Sequence, residues 1–169
     1  MHLIVDGYNL LHVGRRAAAL TPSDLQRERD HLIDQLSSFR QIKSCEITLV
    51  FDGWQGGWAT EKEERRKGID LIFSRLGEKA DEVIKRLVKE RGAGAIVITS
   101  DREIARYAEK MDVAVIPSDQ FRERMEMQSV GANQRRDDDG GERSGGKRKG
   151  PSRRLSKKER RARAALKKL

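Results

Sequence analysis

Three aspartates stand at the ends of apolar runs. Leu3-Ile4-Val5 leads into Asp6, Thr48-Leu49-Val50-Phe51 into Asp52, and Ile96-Val97-Ile98-Thr99-Ser100 into Asp101. A fourth, Asp81, falls in the first turn of a helical pattern. Carboxylates brought together repel one another, and loss of water disfavours their charge further. A hard divalent cation relieves both penalties. With oxygen donors only, and no Cys or His cluster, such a site favours Mg²⁺ or Mn²⁺ over zinc. An ion of this kind acidifies a water and steadies charge on a phosphoryl group, which is the chemistry of phosphodiester hydrolysis. Asn9, three residues past Asp6, reaches the same place if the chain turns at Gly7.

Each acid has a plainer reading on its own. Asp81 and Asp101 sit where a helix dipole favours a negative charge. Asp6-Gly7 and Asp52-Gly53 are common turn dipeptides. Their joint placement carries the argument, and that placement depends on the elements that hold them.

Five runs read as strands: 3–5, 47–51, 69–73, 95–99 and 113–116. They are nearly continuous in Val, Ile and Leu, the pattern of strands buried on both faces of a parallel sheet. Helical spacing fills the intervals. Thr21-Pro22-Ser23-Asp24 reads as a helix start, followed by Leu25, Leu32, Leu36 and Phe39. Ala80, Val83, Ile84, Leu87 and Val88 form one stripe. Ser100 with Glu103 reads as a capping box for the helix that follows, and residues 118–128 as a last helix. Residues 53–68 show no apolar face and read as a long mobile loop. Strands alternating with helices predict a doubly wound α/β domain over residues 1–129. In such a sheet the strand C-termini share one edge, outside which ligands bind, so residues 6, 52 and 101 should converge.

The chain has 169 residues and a formal net charge of +9. The excess is local: residues 131–169 carry 15 Lys and Arg against 5 Asp and Glu. Residues 130–151, rich in Gly, Ser, Asp and Arg, read as a flexible linker that cannot bury enough surface to fold alone. Residues 152–169 read as a basic tail, helical if Ser156 and Glu159 form a capping box. A near-neutral domain with a basic arm implies a polyanionic partner, nucleic acid foremost. Arg153, Arg154, Lys157, Lys158, Arg160 and Arg161 would bind phosphates without reading sequence. Arg65, Arg66 and Lys67, with Trp54 and Trp58 in the same loop, offer further RNA contacts through charge and stacking. The plainer alternatives are a solvated arm and loop tryptophans that plug onto the core. The lone Cys45 allows no internal disulfide and reads as structural. No stretch matches a membrane span, and the start of the chain has no signal-peptide pattern, so the expected location is the cytoplasm.

Four segments together resemble a known family. Asp6-Gly7-Tyr8-Asn9 is similar to the D-G-x-N opening of NYN domains, in particular the YacP-like branch. Val50-Phe51-Asp52-Gly53, Ala80-Asp81-Glu82 and Thr99-Ser100-Asp101 resemble its later segments, in the same order over about residues 1–128. The resemblance implies a PIN-like three-layer α/β sandwich and a metal-dependent endoribonuclease, in a family that includes ribosome-associated mRNA decay. It implies Asp6, Asp81 and Asp101 as the metal-site acids and Asn9 as an orienting group. Asp52 would be a supporting acid at the rim, and Ser100 would position Asp101 or a water. The competing class is an RNA- or ribosome-binding factor on a PIN-like domain that no longer cleaves. A small-molecule phosphatase or nucleotide-binding enzyme fits less well. The chain carries neither phosphate-cradling glycine fingerprint, and the second acid two residues after Asp6 that an aspartyl phosphatase needs is Tyr8 here.

Overall fold

The computed structural model describes residues 1–13, 21–53, 59–134 and 156–169. Trp54, Trp58, Arg153, Arg154 and most of the expected linker lie outside them. Six strands form one sheet: β1 (His2–Asp6), β2 (Glu46–Phe51), β3 (Lys62–Arg66), β4 (Ile69–Phe73), β5 (Ala95–Ile98) and β6 (Ala114–Ile116). Their order is β3-β4-β2-β1-β5-β6. Every neighbouring pair is parallel except β3 with β4. The helices are α1 (Gly7–Leu11), α2 (Pro22–Lys43), α3 (Ala80–Arg91), α4 (Arg102–Lys110), α5 (Ser118–Gln134) and α6 (Lys157–Lys168).

The apolar strands divide their side chains between two layers, as the two-residue strand period requires. Leu3, Val5, Ile47, Leu49, Phe51, Ile96 and Ile98 join one core with α1, α2, α5 and α6. Ile4, Val50, Ile72 and Val97 join the other with α3 and α4. Both faces are therefore covered, which is why these strands show no polar alternation. Each fully buried Leu or Ile contributes about 1.5–3 kcal/mol. The buried Cys45 belongs to the first core.

Helix α2 starts as its sequence requires. The Thr21 side chain accepts from the Asp24 N–H, and Pro22 occupies the first helical position, where its missing N–H costs nothing. The start of α4 differs from expectation. Its N-cap is Asp101, not Ser100: Asp101 Oδ1 accepts from the N–H groups of Glu103 and Ile104 at 2.7 and 3.1 Å. A carboxylate can take both donors, and Ser100 is held elsewhere.

The expected loop over 53–68 contains a strand. β3 pairs antiparallel with β4, Lys62 opposite Phe73 and Arg66 opposite Ile69. A two-residue turn of Lys67 and Gly68 joins them, both at positive φ (51° and 80°), the hairpin geometry whose twist matches the strands. Its Lys-Glu-Glu-Arg-Arg sequence has no apolar face because no residue of β3 is buried, and charge on an edge strand deters pairing with other chains. The backbone ladder and ion pairs hold it: Arg66 with Asp30 at 2.8 Å, Lys67 with Asp34, and Arg65 with Asp70 at 3.5 Å.

Helix α6 begins with the capping box of Ser156 and Glu159. It packs against β6, the other edge strand, and buries Ala165 and Leu169 in the α2/α5 core. Arg161 pairs with Asp112 at the turn before β6. No helix among the described residues is long and apolar enough to cross a membrane.

Candidate active site

The C-terminal edge of the sheet gathers the four acids. β1 ends at Asp6, which pairs in register with Val50 of β2, while Val5 pairs with Ile98 of β5. Adjacent parallel strands lie about 4.8 Å apart, so Asp6 stands between the ends that lead to Asp52 and to Asp101. Asp6 is 8% exposed. Its Oδ1 accepts the Asn9 N–H at 3.1 Å, capping α1, and its Oδ2 accepts the Thr99 hydroxyl at 3.0 Å.

Asp52 Oδ1 accepts the N–H of Ala80 at 2.6 Å. The residue at the N-cap of α3, Lys79, supplies no side-chain cap. Asp52 fills that role from β2 and fixes the first turn of α3, which carries Asp81, against the sheet edge. Gly53 lets β2 and β4 end together, because a Cβ there would fall on the Ser74 carbonyl oxygen. The Ser74 hydroxyl receives the Gly53 N–H at 3.1 Å and donates to the Glu78 carbonyl at 2.7 Å. The Asp52-Gly53 pair thus joins strands to helix as well as turning the chain.

A hydroxyl and amide network connects Asp6 to Asp101. Thr99 Oγ1 also accepts the Asp101 N–H at 3.0 Å. Asn9 Oδ1 accepts from the Ser100 N–H at 2.9 Å and from the Ser118 hydroxyl at 2.8 Å. Ser100 Oγ accepts the Ser118 N–H at 3.0 Å. Asn9 therefore staples three strand-end segments, and Ser100 anchors the start of α5. Sequence reasoning missed Thr99 and Ser118. Both are polar residues just past apolar runs, the position that marked the acids, and that signal would have found them.

The acids sense one another. Burial pushes the Asp6 carboxyl up to about 6; its two hydrogen bonds oppose this, and the charges of Asp81 and Asp101 add to it. Asp81 is also raised, first by burial and next by Asp101, with Lys85 opposing and Asp52 and Glu103 adding. Lys85 does not form the direct pair with Asp81 that their four-residue spacing allows. It bridges Glu82 at 3.0 Å and Glu103 at 2.6 Å, tying α3 to α4. Among the described residues, no three His, Cys, Asp or Glu side chains close around a point that could hold an ion. The donor chemistry nevertheless fits a hard cation. The set is all oxygen, it includes a carboxylate raised by burial and then by its acidic neighbours, and Mg²⁺ commonly takes one or two protein carboxylates while keeping water. Asp6, Asp81 and Asp101 would hold it.

Among the described residues, the basic groups of β3 and its turn, and Arg161 of α6, lie away from this edge. The β3–β4 register puts Arg65, Arg66 and Lys67 at the start of β4, the opposite end of the sheet. Arg161 and Lys168 of α6 border a hollow with Met1, Gly94 and Ala114, also at strand starts. Arg160, Arg163, Lys167 and Lys168 of α6 are exposed.

Fold and rim together define a PIN-like α/β domain with clustered carboxylates at the strand C-termini. The chain belongs to the YacP-like NYN domain family, whose pattern it matches over residues 3–168. It is 28% identical over 87 residues to the uncharacterized protein YacP of Bacillus subtilis (strain 168). That match covers 52% of this chain and spans about half, 51%, of the relative's length. The crystal structure of Rae1 (YacP) from Bacillus subtilis superposes with a TM-score of 0.63 at 22% identity, over 80% of this chain and 79% of that one. The crystal structure of a point mutant of Rae1 gives 0.59 at 22% identity, over 80% of this chain and 77% of that one. These likenesses support the fold.

Proposed function

We propose that this protein is a metal-dependent endoribonuclease that cleaves single-stranded RNA, acting on mRNA at the ribosome. The observation that carries the reading is Asp6: a buried carboxylate at a sheet edge, raised by burial and by the charges of Asp81 and Asp101. A bound Mg²⁺ or Mn²⁺ would supply Lewis acidity to the scissile phosphate and to the attacking water. The chain's own residues do the rest. Asp6, Asp81 and Asp101 would hold the ion. Asp52 holds Asp81 in place through the first turn of α3. Thr99, Asn9 and Ser100 fix the spacing between Asp6 and Asp101.

The distant basic residues suit a large polyanion. A five-residue strand is about 17 Å long, so Arg161 and Lys168, which border the strand starts, would meet RNA remote from the scissile phosphate. A ribosomal partner in the cytoplasm suits that separation. The test is incubation of the full chain with single-stranded RNA and Mn²⁺ or Mg²⁺, on free RNA and on translating ribosomes. Cleavage should require the metal and be lost in Asp6→Asn and Asp81→Asn. If cleavage fails in both settings, the reading falls.

A second reading is an RNA-binding factor that does not cleave. The failure of the acids, among the described residues, to enclose one point favours it. It predicts salt-sensitive RNA binding that Asp6→Asn and Asp81→Asn leave unchanged, with no cleavage in either setting.

A further inference from the structure

On the α2 side of the same rim, an aromatic cluster adjoins the acids. Tyr8 follows Asp6 by two residues, Phe51 precedes Asp52, and Phe73 ends β4. The Tyr8 and Phe51 rings meet edge to face at 5.2 Å, and Phe51 and Phe73 stack at 5.7 Å. Strand alternation turns Phe51 toward α2 and the next residue, Asp52, toward α3. The rim thus separates two chemistries, carboxylates on the α3/α4 side and rings on the α2 side.

Cations overlie those rings. The Arg29 guanidinium, from α2, lies 5.3 Å from the Tyr8 and Phe51 centroids and 5.8 Å from that of Phe73, and donates to the Tyr8 hydroxyl. Lys62 Nζ lies 5.9 Å from the Phe73 centroid. Phe51 is fully buried and does the packing, whereas Tyr8, Phe73, Arg29 and Lys62 keep part of their surface in solvent. An aromatic platform with planar and point cations across it has the makings of a single-strand site. Bases stack on rings or guanidinium planes, cations take phosphates, and paired bases cannot offer their faces.

We propose that Tyr8, Phe73, Arg29 and Lys62 form a nucleobase subsite for single-stranded RNA. One base stacks against the solvent-exposed parts of the Tyr8 and Phe73 rings on either side of Phe51, its phosphate draws Arg29 and Lys62 from their contacts with the Tyr8 hydroxyl and Glu64, and the chain then crosses the rim to the carboxylates. Its place in catalysis rests on the nuclease reading; its affinity for RNA does not.

The test measures binding of fluorescein-labelled oligouridylates to the full chain in EDTA, where no cleavage is expected. Tyr8→Leu and Phe73→Leu should each weaken binding roughly ten-fold, the worth of one stacked base. In the wild type, an abasic gap moved along the oligonucleotide should cost affinity at one position, and Tyr8→Leu should erase that cost. Arg29→Gln should lower the slope of log affinity against log salt by about one. Equal affinity across the abasic series in the wild type would overturn the subsite whether or not the variants fold. An unchanged salt slope would remove Arg29 from it. Cleavage by the wild type with Mn²⁺ is read separately. Its absence counts against the nuclease reading and leaves the abasic series to decide this one.

Discussion

The Thr99 hydroxyl donates to Oδ2 of Asp6 at 3.0 Å, joining residues 93 positions apart in sequence. The same oxygen of Thr99 accepts the Asp101 N–H. One buried hydroxyl therefore sets the spacing between two acids. Thr99→Val keeps the shape and removes both bonds, leaving a buried carboxylate oxygen and an amide without partners. The cost should be about 1–3 kcal/mol in urea unfolding. RNA cleavage should fall mainly in kcat, since Thr99 positions the acids and does not bind substrate. Thr99→Ser should restore most of both, and an undiminished kcat in the Val variant would count against the positioning role.

Asp6 predicts a conflict between stability and function. Its folded pKa of about 6 lies above the ordinary value of 3.8. For a carboxyl raised in the folded state, the unfolded chain ionises first. Stability is therefore greatest below the unfolded pKa, falls as pH rises between the two values, and levels off above about 6. A gap of that size corresponds to a penalty of about 3 kcal/mol at neutral pH. Asp6→Asn removes the penalty and keeps a side-chain acceptor. In EDTA near pH 7 the variant should be more stable than wild type by about 1–2 kcal/mol, with part of the gain offset by the altered bonds to Asn9 and Thr99. Near pH 4 the advantage should vanish. An equal advantage at both pH values would mean that the carboxyl does not titrate as described.

A cation at the rim should reverse the same penalty. Mn²⁺ or Mg²⁺ binds the native state and stabilises it by mass action, by about 2.7 kcal/mol at a hundred times its dissociation constant. The ion competes with protons for Asp6 and Asp81, both raised. The rise in thermal midpoint should accordingly be larger near pH 7.5 than near pH 5. It should disappear in Asp6→Asn and Asp81→Asn. A midpoint shift that survives both substitutions would place the ion elsewhere.

The strand-end logic brings Asp6, Asp52, Asp81 and Asp101 to one rim because it needs only buried parallel strands, and continuous Val, Ile and Leu runs report burial on both faces. β3 escapes it because neither of its faces is buried, so Lys-Glu-Glu-Arg-Arg shows no apolar period. The α4 cap reads as Ser100 in the sequence because two adjacent residues could each serve, and only three-dimensional contact with Ser118 shows which one is otherwise engaged. The tail's helix is visible in its capping box. Its docking is not, since burial of Ala165 and Leu169 depends on what α2, α5 and β6 present to them. Lys85 is legible as a partner for an acid but not for which one, because Glu103 comes from another helix.

That docking gives α6 two separable roles. Leu169 is fully buried against the α2/α5 core, and the exposed Arg160, Arg163 and Lys167 follow the spacing of a single helical face. Leu169→Ala should cost about 2–3 kcal/mol in urea unfolding, in the range of buried Leu truncations. Replacing Arg160, Arg163 and Lys167 together by Gln should change stability by no more than about 0.5 kcal/mol, as surface substitutions do. It should lower RNA affinity and reduce the salt slope by up to about three. Deleting 156–169 would confound the two effects, so loss of RNA binding in such a truncation says nothing by itself about phosphate contacts. A triple-Gln variant whose salt slope matches that of wild type would show that α6 serves only to cover β6 and its core, and that any RNA contact lies elsewhere.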